Sequence, residues 1–397
     1  MKYQLKCVRC GALIEREPAY LCPACGGILD VQYPGNAQPP EPDAKRKGVF
    51  RYAAWLPVEG DEIPSLGEGS TPMVRSVRLG KAHGVKNLFF KLESANPSAS
   101  FKDRGIAVGL ACAKRFGVEK VIIASSGNAS ASAAAYAARS EIPMVAMVPE
   151  KTPANKVAQA VLHGARIMRV RGKYSDAYAL CRQMAEKYGW FNLSTTFINP
   201  YAREGYKTIG YEIYEDLGEV PDWIVCPTGA GPILAAIYKA FAELGKGMPK
   251  LVCVQAANCG PIAQAFVNGA DKVQACEHPK DTLASGINDS LNGYSQDGDF
   301  TLDCVRKSGG TAVLLDEDEI LESVYLLGSE GIDAEPAAAV GAKAVDKLCQ
   351  AGTIGKNESV VVVVTGHGLK NQMGAEKGIF SPVVSDETEA LSVLKGE

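Results

Sequence analysis

Short runs rich in valine and isoleucine alternate with longer amphipathic segments from about residue 50 onward. The predicted strands are Leu88–Leu92, Val121–Ala124, Met144–Val148, Arg166–Val170, Trp223–Cys226, Leu251–Gln255, Ala312–Leu315 and Val360–Val364. Helix-like segments follow most of these strands, at Phe101–Phe116, Ser130–Arg139, Tyr174–Tyr188, Ile233–Leu244 and Asp316–Gly328. Parallel strands need long crossover connections and are buried on both faces. The pattern therefore predicts an α/β protein with open, mostly parallel twisted sheets flanked by helices.

The composition is that of a globular protein, with 397 residues of which 46% are hydrophobic and 22% charged. The formal net charge of −3 does not draw the chain toward nucleic acid or membrane surfaces. The apolar run Val360–Val364 is far too short to span a bilayer, and the first residues lack the apolar core of a signal peptide. The 12 cysteines do not indicate a disulfide scaffold in a chain of this length. We expect a cytoplasmic protein with no nucleic-acid or membrane partner.

Four of the cysteines form two closely spaced pairs, Cys7-x2-Cys10 and Cys22-x2-Cys25, and a glycine follows each pair. Each pair can place two thiolates on one face of a turn, and two pairs complete a tetrahedral site. The spacing predicts a small zinc ribbon over residues 1–30, with a structural Zn²⁺ because no coordination position is left open. A ribbon that keeps its fold without metal is the alternative.

A lysine, Lys102, lies at the start of one predicted helix, after the turn-rich segment 96–101. Ser100 is placed to cap this helix. The positive end of the helix macrodipole disfavours a second positive charge and is expected to lower the pKa of Lys102. A lysine with a depressed pKa can act as a nucleophile and as a base.

Three other loops follow predicted strands. Ser125–Ala129 precedes a helix and suits a carboxylate at the helix N-terminus. Gly229–Ile233 has two glycines that permit close backbone approach, and Pro232 suits a first helical turn, which makes this loop a phosphate cradle. Thr365 ends the buried strand Val360–Val364. Ligands in open α/β sheets bind at the carboxyl ends of the strands, so we expect one shared site.

Together these motifs resemble the threonine synthase family, pyridoxal-phosphate enzymes of the tryptophan-synthase-β fold. The resemblance runs over nearly the whole chain. It is carried by the N-terminal ribbon and by Leu66–Pro72, Asn96–Gly105, Ser125–Ala138, Lys207-Thr208, Glu330-Gly331, Glu335–Ala337 and Thr365–Lys370.

The resemblance implies roles for individual residues. Lys102 would hold pyridoxal 5'-phosphate as a Schiff base and later remove the substrate's α-proton. Asn128 would hydrogen-bond the phenolic oxygen, and Thr365 would face the pyridine nitrogen. The cofactor phosphate would be bound by Gly229, Ala230, Gly231, Pro232 and Ile233. The substrate would be bound by Ser100, Ser125, Ser126, Gly127, Ala129 and Lys156, and the candidate cations for a substrate phosphate are Lys156, Arg104 and Lys207.

The resemblance also implies a fold type II pyridoxal-phosphate enzyme that is a homodimer. Its large domain would comprise residues 31–85 and 190–397, and its small α/β domain, residues 86–189, would carry the Schiff-base lysine. Within the large domain, residues 34–48 have four prolines and are predicted to be a linker or extended arm. The implied activity is a phosphate-eliminating lyase reaction that converts O-phosphohomoserine and water to L-threonine and phosphate.

The chain differs from the family's usual pattern at three places. Ala99 stands where glycine is usual, Pro232 and Ile233 follow the Gly-x-Gly of the phosphate loop, and Asn288 stands where arginine is usual. These positions line or neighbour the substrate pocket. β-Replacement or β-elimination on O-phosphoserine or a serine- or threonine-like substrate, as in cysteate synthases or dehydratases, is therefore the alternative activity. A non-catalytic amino-acid-binding module is a further alternative, although such a module would not need this lysine.

Overall fold

A computed structural model describes residues 3–34, 41–59, 63–371 and 383–395. Its strands are β1 (Gln4–Cys7), β2 (Leu13–Ile14), β3 (Leu29–Gln32), β4 (Met73–Arg75), β5 (Asn87–Leu92), β6 (Val121–Ala124), β7 (Met144–Pro149), β8 (Arg166–Val170), β9 (Phe191–Asn192), β10 (Trp223–Pro227), β11 (Lys250–Ala256), β12 (Thr311–Leu315) and β13 (Ser359–Val364). Part of the predicted linker, residues 35–40, lies outside the described ranges.

The α-helices of the described residues are α1 (Leu79–His83), α2 (Lys102–Arg115), α3 (Asn128–Arg139), α4 (Ala154–Leu162), α5 (Tyr174–Tyr188), α6 (Pro200–Leu217), α7 (Pro232–Leu244), α8 (Pro261–Val267), α9 (Ser295–Lys307), α10 (Glu317–Ser329), α11 (Pro336–Gln350) and α12 (Glu387–Lys395). Short 3₁₀ helices occur at Gly48–Trp55, Glu93–Ala95, Ala257–Cys259, Ser285–Ile287 and Gly368–Lys370. None of the helices in the described ranges combines the length and the apolar character that crossing a membrane requires.

The strands form three sheets. The largest has six strands in the order β12-β11-β10-β13-β5-β4, of which only β4 is antiparallel to its neighbour. A second sheet has four parallel strands in the order β8-β7-β6-β9. The third is the small antiparallel sheet β2-β1-β3 at the N-terminus. The predicted α/β fold with two open, mostly parallel sheets is confirmed.

Every predicted strand is present, and β13 shows why the hydrophobic pattern was informative. All six of its residues are buried, because the strand lies between β10 and β5 with helices packed on the sheet. A strand covered on both faces has no need of polar residues, so a continuous run of valines marks it in the sequence.

Helix α6 was not among the predicted elements. Its residues 200–213 are buried although they include arginine, glutamate and lysine. These charged side chains pair with charges on β3, α2 and α7, and Lys207 also pairs with Glu204 within the helix. Helix α6 therefore has no polar face and no amphipathic period by which it could be recognised.

The predicted division into a large and a small domain stays a prediction. The four-stranded sheet spans Val121 to Asn192, which lies almost entirely within the predicted small domain of residues 86–189. Strand β5, however, pairs with β13 and β4 in the six-stranded sheet. This pairing favours a boundary after residue 92 and not at residue 86.

Candidate active site

The loop before Lys102 pairs with the loop after β13. The backbone N–H of Phe101 donates to Thr365 O (3.0 Å), and the N–H of His367 donates to Ala99 O (3.1 Å). Ser100 and Gly366 form an antiparallel bridge between the two loops. Lys102 and Thr365, which are more than 260 positions apart in the sequence, are thereby neighbours at the carboxyl end of the large sheet.

Lys102 is the first residue of α2, and its side chain is partly buried. Its Nζ donates to Thr195 Oγ1 (2.8 Å) and lies 4.5 Å from the centre of the Phe101 ring. Burial lowers the pKa of Lys102 to about 8, and the nearby carboxyls of Asp289 and Glu335 oppose this shift. The helix macrodipole predicts the direction of this shift in pKa, but desolvation is its largest cause. Thr195 was not among the predicted site residues.

The expectation that Ser100 caps α2 is wrong. The residue before the helix is Phe101, and no side chain caps the helix start. Ser100 is instead completely buried, and its Oγ has no hydrogen-bond partner among the described residues. Ala99, just before it, has a φ of +62°, in the left-handed region that favours glycine. Ala99 therefore holds a conformation that suits glycine better than alanine, at the cost of some strain.

Asn128 begins α3, and its side chain donates from Nδ2 to Glu335 Oε1 (2.6 Å). Gly366 packs against both groups: a Cβ added there would lie 2.3 Å from Glu335 Oε1 and 3.2 Å from Asn128 Nδ2. Burial raises the pKa of the Glu335 carboxyl, an effect that the Asn128 hydrogen bond opposes. Glu335 belongs to a motif that carries the family resemblance, although the sequence alone indicates no role for it in the site.

The loop Ser125–Ala129 leads directly into α3, which begins at Asn128, two residues earlier than predicted. Gly127 occupies the N-cap position, and no side chain caps the helix. Ser125 Oγ accepts a hydrogen bond from the Gly127 N–H (3.3 Å). The first turn of α3 therefore has backbone N–H groups without a capping partner, and these can donate hydrogen bonds to a bound carboxylate.

The loop Gly229–Ile233 enters α7, and Pro232 is the first residue of that helix, as predicted. Gly231 has a φ of +98°, and a Cβ there would lie 2.2 Å from Thr301 Oγ1, so only glycine fits this position. Gly229 O accepts from Gln255 Nε2 (3.0 Å) and Ala230 O accepts from Thr301 Oγ1 (2.7 Å), which hold the loop in place. No side chain caps α7, so its first N–H groups can bind a phosphate.

Asp289 lies beside this loop and was not predicted as a site residue. A Cβ added at Gly229 would lie 3.5 Å from the Asp289 Cβ, and the Asp289 carboxylate accepts from Tyr294 Oη (2.7 Å). Burial raises the pKa of the Asp289 carboxyl, and the charge of Lys102 opposes this shift. The neighbouring Asn288 is exposed and donates from Nδ2 to Lys280 O (3.3 Å).

Two of the three candidate cations for a substrate phosphate are used elsewhere. Arg104 is completely buried and makes paired hydrogen bonds to the carboxylates of Glu93 and Glu212, at 2.6–2.7 Å. Lys207 is buried between Glu204 (2.8 Å) and Glu243 (3.0 Å). Both donor sets already face carboxylates, which argues against either residue as a phosphate-binding residue. Lys156 is exposed near the start of α4, and its positive charge lowers the pKa of Glu335, opposing the effect of burial.

The four N-terminal cysteines come together at one end of the small sheet. Their sulfur atoms all lie within 4.8 Å of one another, with Cys7 and Cys25 3.5 Å apart and Cys10 and Cys22 3.6 Å apart. Four sulfurs about 2.3 Å from one ion at tetrahedral angles lie about 3.8 Å apart, so this arrangement fits Zn²⁺. A Cβ at Gly27 would lie 2.9 Å from the Cys7 sulfur, so the turn needs glycine there.

Comparison with known proteins agrees with the resemblance seen in the sequence. Residues 64–366 match the family described as pyridoxal-phosphate dependent enzyme. The chain is 39% identical to the threonine synthase of Methanosarcina acetivorans, with 97% of this chain and 96% of the relative covered. It is 38% identical to the threonine synthase of Methanocaldococcus jannaschii, with 95% of each covered.

Solved structures of lower identity share the fold. Maize serine racemase superposes with a TM-score of 0.65 at 22% identity, over 82% of this chain and 92% of the racemase. Threonine deaminase isoform 2 from Solanum lycopersicum superposes with a TM-score of 0.64 at 20% identity, over 82% of this chain and 87% of the deaminase. At this identity the similarity extends to the architecture and not to the reaction.

Proposed function

The chain belongs to the pyridoxal-phosphate-dependent enzymes and, within them, to the threonine synthases, and we propose that it converts O-phosphohomoserine and water to L-threonine and phosphate. The observation that carries the proposal is the position of Lys102. Its partly buried amine has a pKa of about 8 and lies near Asp289, beside the Gly229–Ile233 loop, and near Glu335, which is hydrogen-bonded to Asn128. The loop before Lys102 also pairs with Thr365.

The residues present suit pyridoxal 5'-phosphate. The uncapped start of α7, with Gly229, Ala230, Gly231, Pro232 and Ile233, would hold its phosphate. Lys102 would bind its aldehyde carbon, Asn128 its phenolic oxygen and Thr365 its ring nitrogen. Thr365 offers a neutral hydroxyl, so the ring nitrogen would not be paired with a carboxylate. When bound, the cofactor accommodates the negative charge that develops at the substrate's α-carbon.

The chain's own residues would bind the substrate and move its protons. The uncapped first turn of α3, with Ser125, Ser126, Gly127 and Ala129, would bind the substrate carboxylate. Ser100 Oγ, buried without a partner among the described residues, would donate to the same substrate. Lys102 would remove the α-proton, and Thr195 Oγ1 would hold the amine in position between transfers. Lys156, at the edge of the site, would attract the substrate's negative charge.

Phosphate release from O-phosphohomoserine tests the proposed activity. Purified protein supplied with pyridoxal phosphate should release phosphate and form L-threonine, and it should be yellow. Lys102→Ala should lose both the visible absorbance and the activity, and Lys272→Ala, which changes an exposed lysine, should retain both. Release of phosphate from O-phosphoserine but not from O-phosphohomoserine would overturn the proposed substrate and favour the β-replacement alternative. A protein that stays colourless with added cofactor would overturn catalysis by this route.

We also propose that the Cys7, Cys10, Cys22 and Cys25 cluster holds a structural Zn²⁺, as its sulfur spacing supports. All twelve cysteines are free, which suits a reducing compartment and supports the proposed location in the cytoplasm. A homodimer is proposed from the resemblance to the family. Sedimentation equilibrium of the cofactor-loaded protein tests it, and a monomer mass would overturn it.

A further inference from the structure

Lys370 lies in the short 3₁₀ helix Gly368–Lys370, five residues after Thr365. Its Nζ is buried and has no hydrogen-bond partner among the described residues. A buried ammonium group without a partner loses its hydration and gains nothing in return. A buried, unpaired group of this kind in a native protein has a specific cause, and one such cause is a bound ligand that supplies the missing hydrogen bonds.

The surroundings of Lys370 place it at the candidate active site. Its positive charge is close enough to the carboxyls of Glu335 and Asp103 to lower the pKa of each. Glu335 is hydrogen-bonded to Asn128, and Asp103 follows Lys102 directly. Lys370 therefore lies on the side of the site where α2, α3 and the loop after β13 meet.

Neither carboxyl accepts a hydrogen bond from the Lys370 amine. Asp103 already accepts from the Ser98 N–H (2.6 Å) and from the hydroxyls of Ser98 and Ser132 (2.5 Å each). Glu335 accepts from Asn128. Burial raises the pKa of both carboxyls, so both are more readily protonated than exposed acids and neutralise Lys370 less well. Burial also lowers the pKa of Lys370 itself, and an anion bound to its amine would oppose this shift.

Building on the proposed function, we propose that Lys370 binds the phosphate group of the substrate. A substrate with a phosphate monoester needs a cation near the site, and Arg104 and Lys207 are already paired with carboxylates. A lysine binds phosphate as a point charge. The phosphate would supply the hydrogen-bond acceptors that Lys370 lacks among the described residues.

Binding measurements on the cofactor-loaded protein test this role. Lys370→Gln should weaken the binding of inorganic phosphate, measured by calorimetry, by about tenfold or more, since a charge-assisted hydrogen bond is lost. The KM for O-phosphohomoserine should rise in parallel. The spectral change produced by L-threonine, which has a carboxylate but no phosphate, should occur at the same concentration as in the wild type. Lys370→Arg should restore most of the phosphate affinity.

Lys272→Gln is the matched control, because the Lys272 side chain is 78% exposed and pairs with Asp299 on the surface. Unchanged phosphate affinity in Lys370→Gln would overturn the proposal. Weaker L-threonine binding with unchanged phosphate binding would also overturn it and would assign Lys370 to the carboxylate. Lys370→Met keeps the apolar stem, so loss of the cofactor absorbance in both neutral variants would show a structural role instead.

Calorimetry with inorganic phosphate separates this inference from the proposed function. A wild type that releases no phosphate from O-phosphohomoserine would overturn the function, yet its phosphate affinity would still report on Lys370. A wild type that is active and a Lys370→Gln variant with unchanged phosphate affinity would overturn the role of Lys370 alone.

Discussion

The ε-amine of Lys102 lies beside the Phe101 ring, donates to Thr195 Oγ1 and has a pKa lowered to about 8 by burial. The unprotonated amine is the form that attacks an aldehyde. Because the pKa is lowered, the unprotonated fraction rises through pH 8 and not through the ordinary lysine value of about 10.4.

The rate at which cofactor-free protein captures pyridoxal phosphate should therefore rise with pH, reach half its maximum near pH 8 and then level off. Stopped-flow absorbance measures this rate. Capture by Nα-acetyl-lysine, whose amine is fully hydrated, is the control and should keep rising at higher pH. If the protein behaves like the free amine, burial does not control the reactivity of Lys102.

At the same scale, Gly366 leaves room for the contact between Asn128 and Glu335. A methyl group at Gly366 would lie 2.3 Å from Glu335 Oε1, so one of the two side chains must move. Gly366→Ala should weaken cofactor binding by about tenfold or more, as a displaced hydrogen-bonding group would. Absorbance titration with pyridoxal phosphate measures this affinity.

Gly328→Ala is the matched control for Gly366→Ala. Gly328 lies within α10, where an added Cβ meets nothing within 4 Å. This change should leave cofactor affinity unchanged and stabilise the helix by about 0.5–1 kcal/mol. Equal cofactor affinity in both variants would mean that Asn128 and Glu335 tolerate displacement.

At the scale of elements, buried charges join α2 to α6. Arg104 on α2 faces Glu212 on α6 and Glu93 in the short helix after β5, and all three side chains are buried. Arg104 holds the pKa of Glu212 at about 2, so the carboxylate stays charged in the interior. Removal of the arginine would leave the buried Glu93 without its cation and would leave Glu212 with Lys91 alone (3.1 Å).

Arg104→Ala should therefore lower the free energy of unfolding by about 3–5 kcal/mol. Urea denaturation followed by circular dichroism measures the change. Arg182→Ala, which removes an exposed i,i+4 pair with Glu186, should change stability by no more than about 0.5 kcal/mol. Normal stability with a raised KM for O-phosphohomoserine would instead make Arg104 a phosphate-binding residue after all.

At the scale of the whole molecule, the N-terminal ribbon packs against α6 and α7 through ion pairs. Asp30, in β3, accepts from Arg203 (2.6 Å) and from Lys239 (3.1 Å), and Arg9 donates to Gln296 (2.6 Å). Among the described residues, by contrast, the side chain of Lys102 contacts Phe101, Thr195 and Tyr206, none of which belongs to the ribbon. The four-cysteine cluster and the candidate cofactor site are therefore separate.

Cys10→Ser should lower the zinc content of the purified protein and its melting temperature, because a structural zinc site stabilises the fold around it. The visible absorbance of the bound cofactor should be retained at low temperature. Metal analysis and thermal denaturation measure the two effects. Cys349→Ser, on α11 outside the ribbon, is the control. Equal zinc content in the two variants would overturn a zinc site at the four cysteines.

Local sequence determined the strands and helices that were predicted, with the helix starts correct to within two residues, and the loops that form the site. Buried parallel strands such as β13 need continuous apolar residues, and tight loops such as that at Gly231 need glycine. Both can therefore be recognised from a few consecutive residues. The two paired cysteine motifs are equally local. For the same reason, the family resemblance could be recognised from short motifs.

The tertiary structure decided which charged residues serve the site and which hold the fold. Arg104 and Lys207 look like available cations in the sequence, but Arg104 faces Glu212 on α6 and Lys207 faces Glu243 on α7. Glu335, which binds Asn128, lies 207 positions away from it in the sequence. The amine of Lys370 is shielded from water by segments that are distant in the sequence. Hydrogen bonding and desolvation depend on neighbours in space, so no short window of sequence contains them.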